Sequence, residues 1–198
     1  MRVSPSKAMN ERFAYFLGVL HDAHIIYREK ACQYGFEIEQ KNKEYALYLS
    51  SLINELFNIN TKLEVRKREW GTYYRIRVYS KKVYEKIIKY DFKECLAREP
   101  KRIKRFLIQG FFDAEGSVSI NEVRMFNKDV ELLEAVGAVL SKEFGIKCAK
   151  IVRTSGDVMQ LPIYAKQEKQ NFLSQIGSTH PEKRSLRQKK QVKRTSLK

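Results

Sequence analysis

Hydrophobic residues recur at helical spacing in two long segments of the chain, residues 39–59 and 126–146. In each segment the apolar side chains follow one face, which predicts an amphipathic helix packed by that face. The two segments align with each other at a constant offset, so the pattern is an internal repeat. Asn58 and Gly145 stand at the same place just after each helix, and both residue types tolerate the left-handed conformation of a helix cap.

Alternating apolar and polar residues predict β-strands on both sides of each amphipathic helix. The predicted strands are roughly 25–31, 35–40, 62–68 and 73–79 in the first half, and 117–121, 122–127, 148–153 and 158–164 in the second. Residues 93–102 link the halves, and Pro100 is predicted to start the next helix. The pattern therefore predicts an α+β fold in which each half has the order αββαββα.

Each half opens with an apolar helix that has a glycine in its middle and a carboxylate at its end. These segments are FAYFLGVLHDAHII, residues 13–26, and FLIQGFFDAEGSVS, residues 106–119. An acid in the last turn faces the partial negative charge of the helix C-terminus, which is unfavourable. Asp22 and Glu115 therefore require a compensating partner.

The charge of the chain favours a polyanionic partner. Lys and Arg total 39 against 23 Asp and Glu, a formal charge of +16, which points to nucleic acid. Predicted strands 62–68 and 73–79 place basic side chains on one face and apolar ones on the other. Residues 183–198 contain eight basic residues and no acid. This run is interpreted as a solvated arm that holds phosphate nonspecifically, with a base-contacting element as the alternative.

Other site classes are not supported by the sequence. The three cysteines are far apart and lack CxxC spacing, so neither a disulfide framework nor a zinc site is predicted. His21 and His24 have no third ligand in view. Hydrophobic residues make up 43% of the chain, enough for a core, but without a signal peptide or a bilayer-spanning run. A soluble protein of the cytoplasm is expected.

The segment FLIQGFFDAEG resembles a LAGLIDADG motif, and FLGVLHDAH is similar to a degenerate first copy. Over residues 13–175 the chain resembles the monomeric, two-motif LAGLIDADG homing endonucleases encoded in introns. The resemblance implies two motif helices packed side by side through Gly18 and Gly110, with two saddle-shaped antiparallel sheets. It also implies a first repeat at residues 1–95, a second at 96–180 and a basic tail at 181–198.

The chemistry implied by this resemblance is hydrolysis of phosphodiester bonds in double-stranded DNA at a long asymmetric target. Asp22 and Glu115 would be the metal ligands, holding Mg²⁺ or, as a substitute, Mn²⁺ between two carboxylates that otherwise repel. Gln40 and Asn127 would support the water network of the active site, or merely cap the helices that follow them. A basic helper would come from Lys101, Arg102 or Lys104, among which spacing does not choose.

The resemblance and the strand pattern together give the expected DNA contacts. These are Arg28, Lys30, Lys41, Lys62, Arg66, Arg68, Arg75, Arg77, Arg124, Lys128 and Arg153. Two alternatives use the same scaffold, namely an intron RNA maturase and a DNA-binding regulator that does not cleave.

The first motif has a register defect. Aligning Gly18 with Gly110 places Ala23 opposite Glu115, so the acid Asp22 arrives one residue early. One residue is a rotation of about 100° on a helix. The hypothesis is that Asp22 reaches the site through an altered last turn, and the alternative is a site in which only Glu115 functions.

Overall fold

The computed structural model describes residues 9–154 and 156–184. The first repeat consists of α1 (Glu11–Val19), a 3₁₀ turn (Leu20–Asp22), β1 (His24–Arg28), a 3₁₀ turn (Glu29–Ala31), β2 (Gln33–Gln40), α2 (Lys43–Phe57), β3 (Leu63–Arg68), β4 (Gly71–Tyr79) and α3 (Lys81–Ile87). After α4 (Phe92–Arg98), the second repeat consists of α5 (Lys101–Glu115), β5 (Gly116–Val118), β6 (Val123–Asn127), α6 (Val130–Phe144), β7 (Val152–Arg153), β8 (Met159–Ile163) and α7 (Lys166–Gln175).

The two repeats build sheets of the same topology. The strand orders are β1-β2-β4-β3 and β5-β6-β8-β7, and all the pairings are antiparallel. Ile38 lies opposite Ile76 in the first sheet, and both side chains are buried. Met125 and Leu161 hold the corresponding places in the second. The predicted α+β fold with two αββαββα repeats is confirmed.

Helices α1 and α5 pack side by side at the centre of the molecule, where one hydrophobic core joins both repeats. A Cβ added to Gly110 would stand 1.9 Å from the carbonyl oxygen of Tyr15. A Cβ on Gly18 would stand 2.3 Å from the carbonyl oxygen of Leu107. Because only glycine leaves room for backbones this close, the predicted contact through these two residues is confirmed.

The ends of the helices follow the sequence signals. Asn58 and Gly145 adopt the left-handed conformation after α2 and α6, with φ of 51° and 65°, as predicted. Pro100 is the N-cap residue of α5, so this helix begins one residue later than predicted. After Val19 the chain tightens into the 3₁₀ turn that ends at Asp22, and Ala23 N–H donates to the carbonyl of Leu20 at 3.0 Å. The altered last turn expected for the first motif is therefore present.

Two strands of the second repeat are shorter than predicted. Strand β5 ends at Val118 because Ser119 makes a tight turn, its N–H donating to the carbonyl of Glu122 at 2.8 Å. Strand β7 spans only Val152–Arg153. The carbonyl of Pro162 in β8 accepts from Ala149 N–H at 2.8 Å, but proline has no N–H to donate back, so the ladder is interrupted there.

The link between the repeats is helical. Helix α4 covers Phe92–Arg98, so the expected boundary between residues 95 and 96 falls inside a helix. The ring of His21 packs edge-on against Phe92 at 4.5 Å and against Phe111 at 5.0 Å. His21 is thus an aromatic packing residue that joins α4 to both motif helices. In residues 9–154 and 156–184, no helix combines the length and the apolar character needed to cross a membrane.

Candidate active site

The packing of α1 on α5 brings the two motif acids to the same end of the helix pair. Asp22 closes the 3₁₀ turn after α1, and Glu115 is the last residue of α5. Partial loss of hydration raises the pKa of Asp22 to about 6. Loss of hydration, with the charge of Asp22 added to it, raises the pKa of Glu115 to about 7. The charge of Asp22 thus opposes ionisation of Glu115.

Gln40 and Asn127 occupy equivalent places in the two repeats but make different contacts. Gln40 Nε2 donates to Asp22 Oδ2 at 2.8 Å, which ties the end of β2 to the first acid. Asn127 Oδ1 instead accepts from Asp129 N–H at 2.9 Å, just before α6 begins. Gln40 thus contacts the acid of the first repeat. Asn127 makes only a local turn, and it does not cap α6, because the N-cap residue is Asp129, whose carboxylate accepts from Leu132 N–H at 3.1 Å.

A lysine outside the motifs reaches the acid pair. Lys183 follows α7 by eight residues, and its Nζ donates to the carbonyls of Phe112 and Asp113 at 2.7 Å each. Loss of hydration lowers the pKa of Lys183 to about 8, opposed by the charges of Asp113, Asp22 and Glu115. No local pattern marks Lys183, because it is the first residue of a basic run and reaches the site by a long-range contact.

The three basic helpers proposed from the sequence lie at the wrong end of α5. Lys104 is 11 residues before Glu115, which is about 16 Å along a helix. Its Nζ is paired with Glu143 at 2.9 Å. Arg102 pairs with Glu11 at 3.3 Å, and Lys101 lies over the ring of Phe144. These contacts place all three away from the acids, whereas Lys183, among the residues that the structure describes, interacts with both.

Asp113, two residues before Glu115, anchors the chain beyond α7. Its carboxylate is 2% exposed and accepts hydrogen bonds from Tyr15 Oη and Thr179 N–H, both at 2.8 Å, and from Ser178 Oγ. Burial raises the pKa of Asp113, and these donors oppose the rise. Tyr15 is bonded in turn to Tyr45 Oη at 2.8 Å. The network crosses from one repeat to the other, so Asp113 is structural.

Known families match both repeats. Residues 102–177 match the LAGLIDADG-like domain, and residues 13–88 match the WhiA LAGLIDADG-like domain. The homing endonuclease I-DmoI of Desulfurococcus mucosus is 30% identical over 144 residues, which cover 65% of this chain and 68% of that protein. The chain belongs to the LAGLIDADG homing endonuclease family.

The chain is also similar to another archaeal protein and to two solved structures. An uncharacterised protein of Methanocaldococcus jannaschii is 27% identical over 203 residues, covering 94% of this chain and 72% of that protein. Crystalline I-DmoI in complex with DNA and manganese has a TM-score of 0.66 over 86% of this chain and 98% of its own, at 24% identity. The crystal structure of full-length WhiA from Thermatoga maritima has a TM-score of 0.65 over 93% of this chain and 61% of its own, at 17% identity. At these identities the structural likeness shows the LAGLIDADG fold.

The acid pair of this LAGLIDADG protein has the donor chemistry of a divalent cation site. Within the described ranges, no group of three or more His, Cys, Asp and Glu is arranged to hold a metal ion. Asp22 and Glu115 supply carboxylate oxygens from the ends of two motif segments, and loss of hydration is the main cause that raises the pKa of both. Mg²⁺ accepts such a partial oxygen site when phosphate and water complete it. The residues therefore fit the metal that the family implies.

The outward face of the first sheet carries charges of both signs. The sequence prediction considered only the basic residues of β3 and β4, but Glu37, Glu39 and Glu64 share their face. The interpretation of this face as purely basic is therefore wrong. Arg68 pairs with Glu39 at 2.6 Å and lies over the ring of Tyr73 at 5.0 Å.

Arg75 is the basic residue most affected by these glutamates. It is 6% exposed, and its guanidinium donates to Glu37 at 3.0 Å and to Glu64 at 2.9 Å. Glu37 also accepts from Arg77 Nε at 2.7 Å. Arg75 is thus enclosed by acids, and a direct DNA contact by it would require rearrangement.

The remaining expected DNA contacts are more accessible. Arg28, Lys30, Lys41, Lys62, Arg66, Lys128 and Arg153 are exposed. Arg124 is half-buried, beside Glu122 at 3.3 Å. Lys41 lies 5.3 Å from the ring of Tyr73, and Arg153 donates to Asp157 at 3.0 Å. Most of these side chains could therefore meet a phosphate without leaving a buried position.

The basic tail of residues 181–198 is divided by the structure. Residues 185–198 lie outside the described residues. Lys183, expected as the start of a nonspecific arm, instead contacts the end of α5 beside the acid pair. Lys183 is therefore not part of a solvated arm, contrary to the prediction.

Proposed function

We propose that this chain is a site-specific double-strand DNA endonuclease that uses Mg²⁺. The observation that carries the proposal is the meeting of Asp22 and Glu115 at the end of the α1–α5 pair, where each acid closes a motif helix. The relative I-DmoI is named a homing endonuclease. Its crystal structures with DNA include complexes with manganese and with calcium, and one of a variant in the presence of magnesium. These relatives support a DNA substrate and a divalent cation.

Each residue of the site has a distinct task. Asp22 and Glu115 would hold the metal, and the metal, when bound, supplies a Lewis acid that lowers the barrier to phosphodiester hydrolysis. Gln40 fixes the rotamer of Asp22 through its 2.8 Å hydrogen bond. The aromatic packing of His21 holds the end of α1 against α5 and thereby fixes the distance between the acids.

The two sheets would bind DNA on their outward faces. Exposed Arg and Lys side chains can neutralise phosphates, and the arginines can also form paired hydrogen bonds to guanine in the major groove. In the first sheet Glu37 bridges Arg75 and Arg77, whereas in the second sheet Arg124 is beside the nearby Glu122, so the two halves present different surfaces. A long asymmetric target follows from that difference. Because one chain provides both acids, a monomer suffices.

The experiment is a search for cleaved sequences. The purified protein is incubated with a plasmid library of random inserts and Mg²⁺, and recurrent double-strand breaks are sequenced. Glu115→Gln should abolish the breaks while DNA affinity stays nearly intact, because the amide keeps the shape but binds metal weakly. Glu134→Gln, an exposed change on α6, is the control and should leave cleavage unchanged. Recurrent breaks by Glu115→Gln would refute the assignment.

A DNA-binding protein that does not cleave is the second candidate. The match of residues 13–88 to the WhiA LAGLIDADG-like domain favours it, together with the irregular first motif in that repeat. The same library distinguishes the two functions, since this candidate enriches a sequence on the protein without producing breaks. Intron RNA, the third hypothesis, is tested by adding it as a competitor.

A further inference from the structure

The chain beyond α7 returns to the end of the second motif helix. At Gly177 the backbone turns with φ of 71°. Ser178 Oγ and Thr179 N–H then donate to the buried carboxylate of Asp113 in α5. A buried carboxylate with several donors is a strong anchor, because removing a donor would leave charge unsatisfied. The segment is therefore fixed to α5 near Glu115.

The same segment is also fixed to the first repeat. His180 is 8% exposed, and its ring centroid lies 4.5 Å from that of Tyr45 in α2. Asn42, the N-cap residue of α2, donates from Nδ2 to Glu182 Oε1 at 3.2 Å. The segment thus crosses the end of the helix pair and contacts both repeats around the acids.

Lys183 is held at the end of this crossing. Its ammonium donates to the carbonyls of Phe112 and Asp113, which belong to the last turn of α5, and it lies 5.1 Å from the ring of Phe112. Gly116 N–H already donates to the carbonyl of Phe112, so the lysine is a second donor to that oxygen. Its charge also offsets the negative end of the helix. Two of its three N–H groups are used in this way. Within residues 9–154 and 156–184 no hydrogen bond is found for the third, which we assign to a phosphate acceptor.

We propose that Lys183 is a catalytic residue of the nuclease, delivered by the segment Gly177–Lys183 and donating its third N–H to the scissile phosphate. The inference rests on the proposed endonuclease function. A preorganised cation stabilises the negative charge that develops on the phosphate, and it needs no reorganisation during the reaction. Lys183 suits this task because its position is set by backbone carbonyls and by an anchored segment.

The first test compares lysine variants on the target selected from the library. Lys183→Met keeps the length of the side chain and removes its charge, and it should lower the single-turnover cleavage rate by about 100-fold or more. Lys183→Arg keeps the charge and should recover much of that rate. Lys104→Met is the matched control, because Lys104 is a lysine of α5, 8% exposed and paired with Glu143. It should cleave within about threefold of the unmodified chain once melting temperatures are matched.

A second test separates charge from structure without any turnover. Lys183 is a cation beside the acids, so it opposes the binding of a second cation. Titration of the DNA-free protein with Mn²⁺ in a calorimeter should show tighter binding to Lys183→Met than to the unmodified chain. A purely structural lysine would give the opposite result, since a disordered acid pair binds metal less well. The DNA affinity of Lys183→Met in EDTA should differ from that of the unmodified chain by less than tenfold.

The outcomes are distinguishable. If Lys183→Met cleaves at a rate within threefold of the unmodified chain, the catalytic role of Lys183 is overturned and the endonuclease function is not. Loss of Mn²⁺ affinity in Lys183→Met, parallel to its loss of rate, also overturns it. If the unmodified chain breaks no sequence in the library, both this inference and the endonuclease function are overturned.

Discussion

Replacing Gly110 with alanine is expected to separate the two motif helices. The new Cβ would stand 1.9 Å from the carbonyl oxygen of Tyr15 and 3.1 Å from the amide nitrogen of Val19, and neither backbone atom can rotate away. Ordinary contact begins near 3.4 Å, so α1 must move from α5 by about 1.5 Å. A gap of that size removes at least half of the dispersion energy of the side chains between the helices. We expect a loss of more than about 3 kcal/mol in the free energy of unfolding.

Gly137→Ala is the matched control. Gly137 also lies inside a helix, α6, but its added Cβ would be 3.6 Å from the side chain of Leu161, which is ordinary contact. Alanine should therefore stabilise the protein there by about 0.5–1 kcal/mol, because glycine costs more entropy in a helix. Urea unfolding followed by circular dichroism measures both changes. Equal unfolding midpoints for the two variants would refute the packing argument.

The same movement should affect cleavage. Asp22 and Glu115 stand at the ends of the separated helices, and a misplacement of about 1 Å can cost about 100-fold in rate. A Gly110→Ala protein that remains folded at low temperature should therefore lose cleavage while Gly137→Ala keeps it. Full activity of folded Gly110→Ala would show that the spacing of the helices does not set the site.

Three further predictions concern the acid, the tail and pH. Asp22→Asn should abolish cleavage, and adding Ala23→Asp to that variant should not restore it. Full activity of Asp22→Asn would exclude Asp22 as a metal ligand. Restored cleavage in the double variant would show that the first motif helix keeps the regular register. Deleting residues 185–198 should lower the slope of log affinity against log salt by about 0.9 per lost phosphate contact, with the cleaved sequence unchanged; a changed sequence would mean that the tail contacts bases. Burial lowers the pKa of His180 to about 4 from 6.5, so the unfolded chain takes up the proton first as pH falls. As the pH falls from 6.5 to 4, the free energy of unfolding of the unmodified protein should decrease by up to about 3 kcal/mol more than that of His180→Phe. Urea unfolding at several pH values measures this difference.

The fold follows from the sequence because its signals are local. Helical spacing, strand alternation and the caps at Asn58 and Gly145 each act over a few residues, and the repeat shows them twice. The sequence also shows that Glu37 lies between the apolar residues Phe36 and Ile38, and that Glu64 lies between Leu63 and Val65, as Arg75 and Arg77 lie beside Ile76 and Val78. The face was interpreted as basic because the glutamates on neighbouring strands were left out. The charge of a sheet face depends on every strand that contributes to it, and register across strands is a tertiary property.

The site was only partly predictable for the same reason. Gln40 and Asn127 align in the repeat, but glutamine is one methylene longer and reaches Asp22, whereas asparagine bonds the amide two residues ahead. Lys183 had no local signal, because its partners are backbone carbonyls about 70 residues earlier in the chain. Residues 181–184 form a helical turn, but this turn does not show which distant carbonyls the lysine contacts.

The geometry of the 3₁₀ turn accounts for the register of the first motif. Three residues of a 3₁₀ helix rise about 6 Å and rotate about 360°, and four residues of an α-helix rise about 6 Å and rotate about 400°. The turn Leu20–Asp22 therefore brings Asp22 to the height at which residue 23 of a regular helix would stand, about 40° from its direction. Most of the offset of one residue is thus removed within a single turn. The tightened turn and the early acid compensate each other, which is why a motif that departs from the pattern in sequence can still place its carboxylate beside Glu115.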